Sequence, residues 1–264
     1  HSLTSPDAKS CVEIGYYEIK SKEKPAEFFK IGESRAWCWQ QGSRLQWFPK
    51  GHRTVFYNSV KADRYVGIIQ DVDSKKVLRE IQTPLYEISS CGNIGLSLNF
   101  SRLQRLRPGY GYASLPDPTE EENIPKEDGV FVFDFRTDKS MLLVSFDQIV
   151  ESGSMPENWE NYEHYINHLC FNPSATKFMF LHLLSLNRKR SSRLFVCDID
   201  GQNLKLINDS ESVSHYTWKD DTTLLCTVHS PTTRKLSYVS YHVTSGMSNE
   251  LAPNILKKDG HPRY

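Results

Sequence analysis

Hydrophobic positions along this chain recur with a period of two far more often than with a helical period. The runs Val130-Phe131-Val132-Phe133-Asp134-Phe135, Leu194-Phe195-Val196-Cys197-Asp198-Ile199 and Leu236-Ser237-Tyr238-Val239-Ser240-Tyr241-His242-Val243 are rich in β-branched and aromatic residues, which predicts strands. Turn signals such as Ser5-Pro6-Asp7, Asp198-Ile199-Asp200-Gly201 and Lys219-Asp220-Asp221 separate such runs. One short helix is expected, around Ser145 to Ser152.

A unit recurs through this pattern: a polar residue, two residues, a small or aromatic residue, a turn, then an apolar strand. His168-Leu169-Cys170-Phe171-Asn172-Pro173-Ser174 and His215-Tyr216-Thr217-Trp218-Lys219-Asp220-Asp221 are two clear copies. The six lead residues are His1, Arg44, Tyr86, His168, His215 and His261, separated by 43, 42, 82, 47 and 46 residues. A repeat of about 40–50 residues holding about four strands predicts a β-propeller. The expectation is therefore an all-β chain, a propeller of four-stranded blades, seven-bladed when complete, with about five blades covered here. Residues 1–264 form a single propeller domain in this reading, an incomplete one, since the chain starts on one blade motif and stops as another begins. The long gap is one blade plus an insertion around residues 99–129, expected as a loop folded over one face.

Composition narrows the partners. In 264 residues, 32 Lys+Arg balance 32 Asp+Glu, which removes the broad basic footprint of a nucleic-acid or anionic-membrane binder. The longest nearly apolar run, Phe178 to Leu184, contains a histidine and falls far short of the roughly 20 residues of a membrane span. No secretory signal is visible, so the cytoplasm is expected, or the periplasm if a signal has been removed. Six scattered cysteines without a C-x-x-C pair read as free, mostly buried thiols in a reducing compartment.

The turns Ser5-Pro6-Asp7 and Asn172-Pro173-Ser174 and the blade start Asp259-Gly260-His261 together resemble the TolB-like propellers, and among them the oligogalacturonate lyase type. The stretch Leu98-Asn99-Phe100-Ser101-Arg102-Leu103 through Arg107-Pro108-Gly109-Tyr110-Gly111-Tyr112 is similar to uncharacterised bacterial members of that group. The resemblance implies a channel with a histidine-rich metal site that handles acidic oligosaccharides.

In equivalent blades the lead residues converge on one end of the channel. His168, His215 and His261 on successive repeats then supply three nitrogen ligands for a divalent metal, Mn for preference, or serve as hydrogen-bonding ties between blades with no ligand. The same set suits β-elimination on a uronate: Arg44 neutralises the carboxylate, and Tyr86 or a neutral His168 removes the α-proton. Arg102, Arg105 and Arg107 read either as an anion clamp or as solvated partners of Glu120-Glu121-Glu122. Tyr110 and Trp47 are candidates for stacking on sugar rings, and Trp37 and Trp39 share that reading, whereas Phe171, Trp218 and Tyr264 read as core between blades. His52, His164, His182, His229 and His242 share no register and receive no role. Two functions follow: a propeller that binds acidic oligosaccharides and cleaves them by metal-assisted β-elimination, or a non-catalytic scaffold for a protein or glycan.

Overall fold

A computed structural model describes residues 6–19, 26–187, 189–210, 212–230 and 232–262. His1, Arg263 and Tyr264, and with them most of the first and part of the last repeat motif, lie outside the described residues. The chain divides into two compact units, residues 1–120 with 132–140 and residues 121–131 with 141–264.

Strands dominate, as the period of two predicts. β1 (Val12–Glu18) and β2 (Glu27–Ser34) form a two-stranded sheet. β3 (Gln46–Trp47), β4 (Thr54–Lys61), β5 (Arg64–Asp71) and β6 (Val77–Ile81) form a four-stranded one. A second joins β7 (Glu87–Ile88), β8 (Ile94–Ser97), β9 (Gly129–Asp134) and β10 (Lys139–Ser145). A third runs through β11 (Glu163–Phe171), β12 (Lys177–Leu186), β13 (Lys189–Asp198) and β14 (Lys205–Asn208). The fourth holds β15 (Ser212–Trp218), β16 (Thr223–His229), β17 (Leu236–His242) and β18 (Ser248–Leu251). In all four, sequence neighbours are spatial neighbours, the meander expected of a blade. The repeat register holds: Arg44 and Tyr86 stand just before the first strand of a sheet, and His168 and His215 lie within one. Both histidines sit at a break in strand register, between Asn167 and Cys170 in β11 and between Val213 and His215 in β15.

In the first unit the β4–β5 pair is buried on both faces, and its alternation separates two clusters. Val55, Tyr57, Val66 and Ile68 pack with Ile14 and Ile31, while Phe56 and Ile69 pack on the other side with Leu85, Ile88 and Phe133. In the second unit every residue from Phe178 to Leu184 is buried, so the apolar run of the sequence is a strand covered on both faces. Its sheets are tied through the repeat motif itself. Trp218 Nε1 donates to the Cys170 carbonyl, and the backbone N–H of Ser174 donates to the Asp221 carboxylate of the next repeat's turn. Phe171 and Trp218 are thus core, as expected.

The insertion is not only a loop. It contains α1 (Phe100–Leu106), which Asn99 starts by accepting from the Arg102 backbone N–H. The expected helix is α2 (Phe146–Glu151), started by a capping box between Ser145 and Gln148. Gly111 closes tightly on α1, where an added Cβ would collide with the Phe100 carbonyl oxygen and the Gln104 backbone nitrogen. Gly111→Ala is therefore expected to lower unfolding stability by about 2 kcal/mol, read as an earlier midpoint in urea. Among the described residues all six cysteines are free, but Cys11 and Cys91 are exposed, so the thiols are less uniformly buried than expected.

Candidate functional site

In the first unit Arg44 and Tyr86 meet, but in a packing arrangement. The Arg44 guanidinium lies 4.0 Å over the Tyr86 ring, and its Nε donates to the Tyr86 carbonyl. Tyr86 is 1% exposed; its hydroxyl accepts from the Gln41 amide, and burial pushes its pKa up to about 12. A shielded phenol held protonated does not abstract a substrate proton, which corrects the catalytic reading of Tyr86.

The arginine clamp is also corrected. Arg102 is 1% exposed and donates through Nη1 to the Thr119 carbonyl, 3.6 Å from Asp117 Oδ2. Arg105 Nε reaches the same carboxylate oxygen at 3.0 Å, and Asn99 and the Thr119 hydroxyl donate to Asp117 Oδ1. Burial raises the Asp117 pKa, but the hydrogen bonds from Thr119 and Arg105 and the charge of Arg102 outweigh it and hold the carboxyl below its usual range. These two arginines fasten α1 to the rest of the insertion through Asp117, a buried carboxylate that offsets the buried guanidinium of Arg102. Arg107 stacks 4.1 Å from the Tyr110 ring. Trp47 and Trp39 are exposed, as stacking on a sugar requires.

In the second unit the structure brings two of the three predicted metal ligands together and adds residues that the sequence did not mark. The rings of His215 and His261 lie 3.8 Å apart. Asp259 reaches between imidazoles: Oδ1 is 3.7 Å from His215 Nε2 and Oδ2 is 3.4 Å from His229 Nε2. Ser214 Oγ donates to Oδ1 at 3.0 Å, and Thr227 Oγ1 donates to the Gly260 carbonyl, which pins the Asp259–His261 segment on β15 and β16. Burial raises the Asp259 pKa, but the bonds from Ser214 and His229 prevail and hold it low. His215 moves down: desolvation lowers its pKa, His261 and His229 add repulsion, and Asp259 only partly offsets them. The cluster at neutral pH is a carboxylate beside a neutral imidazole. His229 was legible only as a histidine without a register, and Asp259 only as part of a turn.

His168 departs from the predicted trio. Its backbone takes φ 56° at the bulge, and its ring packs edge-on to Tyr216 at 5.5 Å. Among the described residues no three His, Cys, Asp or Glu side chains are grouped to hold a metal ion. The donors show why: Asp259 is shared between two imidazoles, and His261 lies against the ring of His215 instead of converging with it on a common point. The set His168, His215 and His261 therefore does not fit a metal as arranged, and no chemical step below runs through one.

A separate buried pair lies in β11 and β12. His164 Nε2 is 3.2 Å from the Trp159 carbonyl and must carry the proton, so His164 Nδ1 accepts from His182 Nε2, also at 3.2 Å. His182 is fully buried, and desolvation, then His164 and Arg193, hold its pKa well below the ordinary value. The unfolded chain protonates this residue first, so stability falls as pH drops below about 6.5. Urea midpoints measured from pH 7.5 to 5 should fall in the native protein and fall less steeply in His182→Leu.

No model of a known protein family matches the chain, and no curated protein matches it either. Among solved structures it is similar to an oligogalacturonate lyase in complex with manganese, at 15% identity and a TM-score of 0.54, covering 85% of this chain and 55% of that one. It is also similar to TolB from Acinetobacter baumannii, at 15% identity and a TM-score of 0.45 over 88% of this chain and 47% of that one. An oligogalacturonate lyase from Vibrio parahaemolyticus aligns at 13% identity with a TM-score of 0.44, over 75% and 50% of the respective chains. The chain thus spans about half the length of the structures it resembles. Its fold is that of a β-propeller built from four-stranded antiparallel blades, and its likeness to the lyase is a likeness of fold.

Proposed function

We propose that this propeller binds acidic oligosaccharides at the His215, His229, Asp259 and His261 cluster and eliminates across a uronate linkage. The observation that carries this reading is the low-pKa Asp259 carboxylate beside a neutral, half-buried imidazole, the arrangement of an oriented general base. His215 Nε2 lies 3.7 Å from the Asp259 carboxylate, whose charge favours the tautomer protonated there and leaves the lone pair on Nδ1. Nδ1 takes the proton α to the uronate carboxylate, the electron pair forms the ring double bond as the β C–O bond breaks, and the glycosidic oxygen leaves as an alkoxide that takes a proton from water.

The test is an ultraviolet assay for unsaturated uronate on a panel of oligouronides. Product from the native protein, lost in His215→Ala, supports the reading; oligouronide binding without product on any member of the panel overturns it in favour of a non-catalytic glycan scaffold. Exposed Trp39 and Trp47 favour that second reading, since aromatic platforms bind sugar without chemistry.

A further inference from the structure

Arg193 is the most anomalous charged residue of the second unit. It lies in the middle of β13, opposite His182 of β12, and is 2% exposed. Its Nη1 faces the Met155 sulfur at 2.8 Å, a weak acceptor, and its carbon Cζ lies 4.9 Å over the Phe195 ring. Among the described residues, neither Nε nor Nη2 has a hydrogen-bond partner. These two nitrogens form the side-on edge of the guanidinium, the edge that grips both oxygens of a carboxylate. Leaving such donors buried without hydrogen bonds is costly: desolvation lowers the Arg193 pKa, and the charge of Asp209 offsets it only in part. A fold that gains nothing from this charge would place an apolar residue here.

A cavity of about 300 Å³ adjoins the guanidinium. Leu184, Met155 and Pro156 give it an apolar side, while Ser191 and Asp209 line it with polar groups. Asp209 is fixed by a hydrogen bond from Ser154 Oγ at 2.9 Å. Gly153 lies beside the fork: a Cβ there would stand 3.1 Å from Nη2, and its φ of +147° disfavours a side chain. The strap at Gly153 thus packs closely against Nη2 and Leu206, the cavity opens at Met155 and Pro156, and β12, β13 and the end of β14 form the rest of the site.

We propose that this cavity is a binding site for a small hydroxy carboxylate, distinct from the histidine cluster. One carboxylate oxygen takes the place of the Met155 thioether on Nη1 and the other bonds the neighbouring Nη2 of the Arg193 guanidinium, the hydroxyl donates to Asp209, and the short carbon body rests on Leu184 and Pro156. Charge selects the anion, and Asp209 selects one that carries a donor, since a bare anion beside that carboxylate is repelled.

Calorimetric titration with lactate, lactamide and inorganic phosphate tests this on the full chain, on Arg193→Met and on Arg193→Lys. Lactate is expected to bind the native chain, with lactamide and phosphate at least about tenfold weaker. Arg193→Met should abolish lactate binding while unfolding at the same or a higher temperature than the native chain, because it removes a desolvated charge with two donors left without hydrogen bonds. Arg193→Lys keeps the charge without the fork and should bind at least about tenfold more weakly, which decides the matter if the methionine variant fails to fold. Both variants leave His215, Asp259 and His261 in place, so binding at the histidine cluster is common to all three proteins and cancels. Equal lactate binding in native and variant chains overturns the proposal, as does no lactate binding by the native chain. Lactamide binding as tightly as lactate also overturns it.

Discussion

Asp117→Ala is expected to destabilise the fold by about 3–5 kcal/mol, because it strands a guanidinium that has no route to water. The Asp117 side chain is fully buried, Arg102 is 1% exposed, and Arg105 shares the same carboxylate oxygen. At roughly 2–4 °C per kcal/mol for a chain of this size, the melting temperature should fall by about 10 °C. The double change Arg102→Met with Asp117→Leu should recover much of the loss, since a buried ion pair replaced by apolar residues of similar size is often neutral. Because the folded pKa of Asp117 is depressed, its contribution is present above the ordinary Asp value, about 3.9, and is lost as pH falls through the folded value. A loss under about 1 kcal/mol in Asp117→Ala would show that the insertion holds itself by other contacts.

The second large effect is on turnover. Asp259→Asn should reduce the rate of unsaturated uronate formation about 10²–10³-fold, the usual range for a misoriented general base. The Asp259 side chain is 38% exposed, so the fold should survive the change, and circular dichroism checks that it does. The pH profile separates this role from simple damage. Asp259 raises the His215 pKa against the lowering by burial and the neighbouring imidazoles, so its removal lets that pKa fall further. The acid limb of the rate profile should move to lower pH in Asp259→Asn even as the plateau drops. A plateau loss with an unmoved limb would mean that His215 is not the titrating base.

Arg102 and Asp117 also mark where reading along the chain ends. Both lie in an insertion whose composition suggests a loop, and Glu120 to Glu122 offered a denser run of charge than Asp117. Burial decided where Arg102 turns: Asp117, which folds under α1, is shared by both arginines. The histidines behave similarly. A shared register brought His215 and His261 together as the repeat required, yet His168 turned to Tyr216 at a bulge, and His229, one strand away, joined through Asp259.

The sequence by itself determined the strands, the four-strand repeat, the turns that tie one repeat to the next and the capped helix α2. All of these follow from alternation, turn residues and spacing, which act over a few neighbours or repeat at a fixed interval. Only the tertiary structure decided that Tyr86 is sealed beneath Arg44, that Asp259 lies between two imidazoles and that, among the described residues, two nitrogens of Arg193 have no hydrogen bond. Each depends on which groups lose their water when distant strands pack, and desolvation is a property of the assembled interior that no local pattern carries.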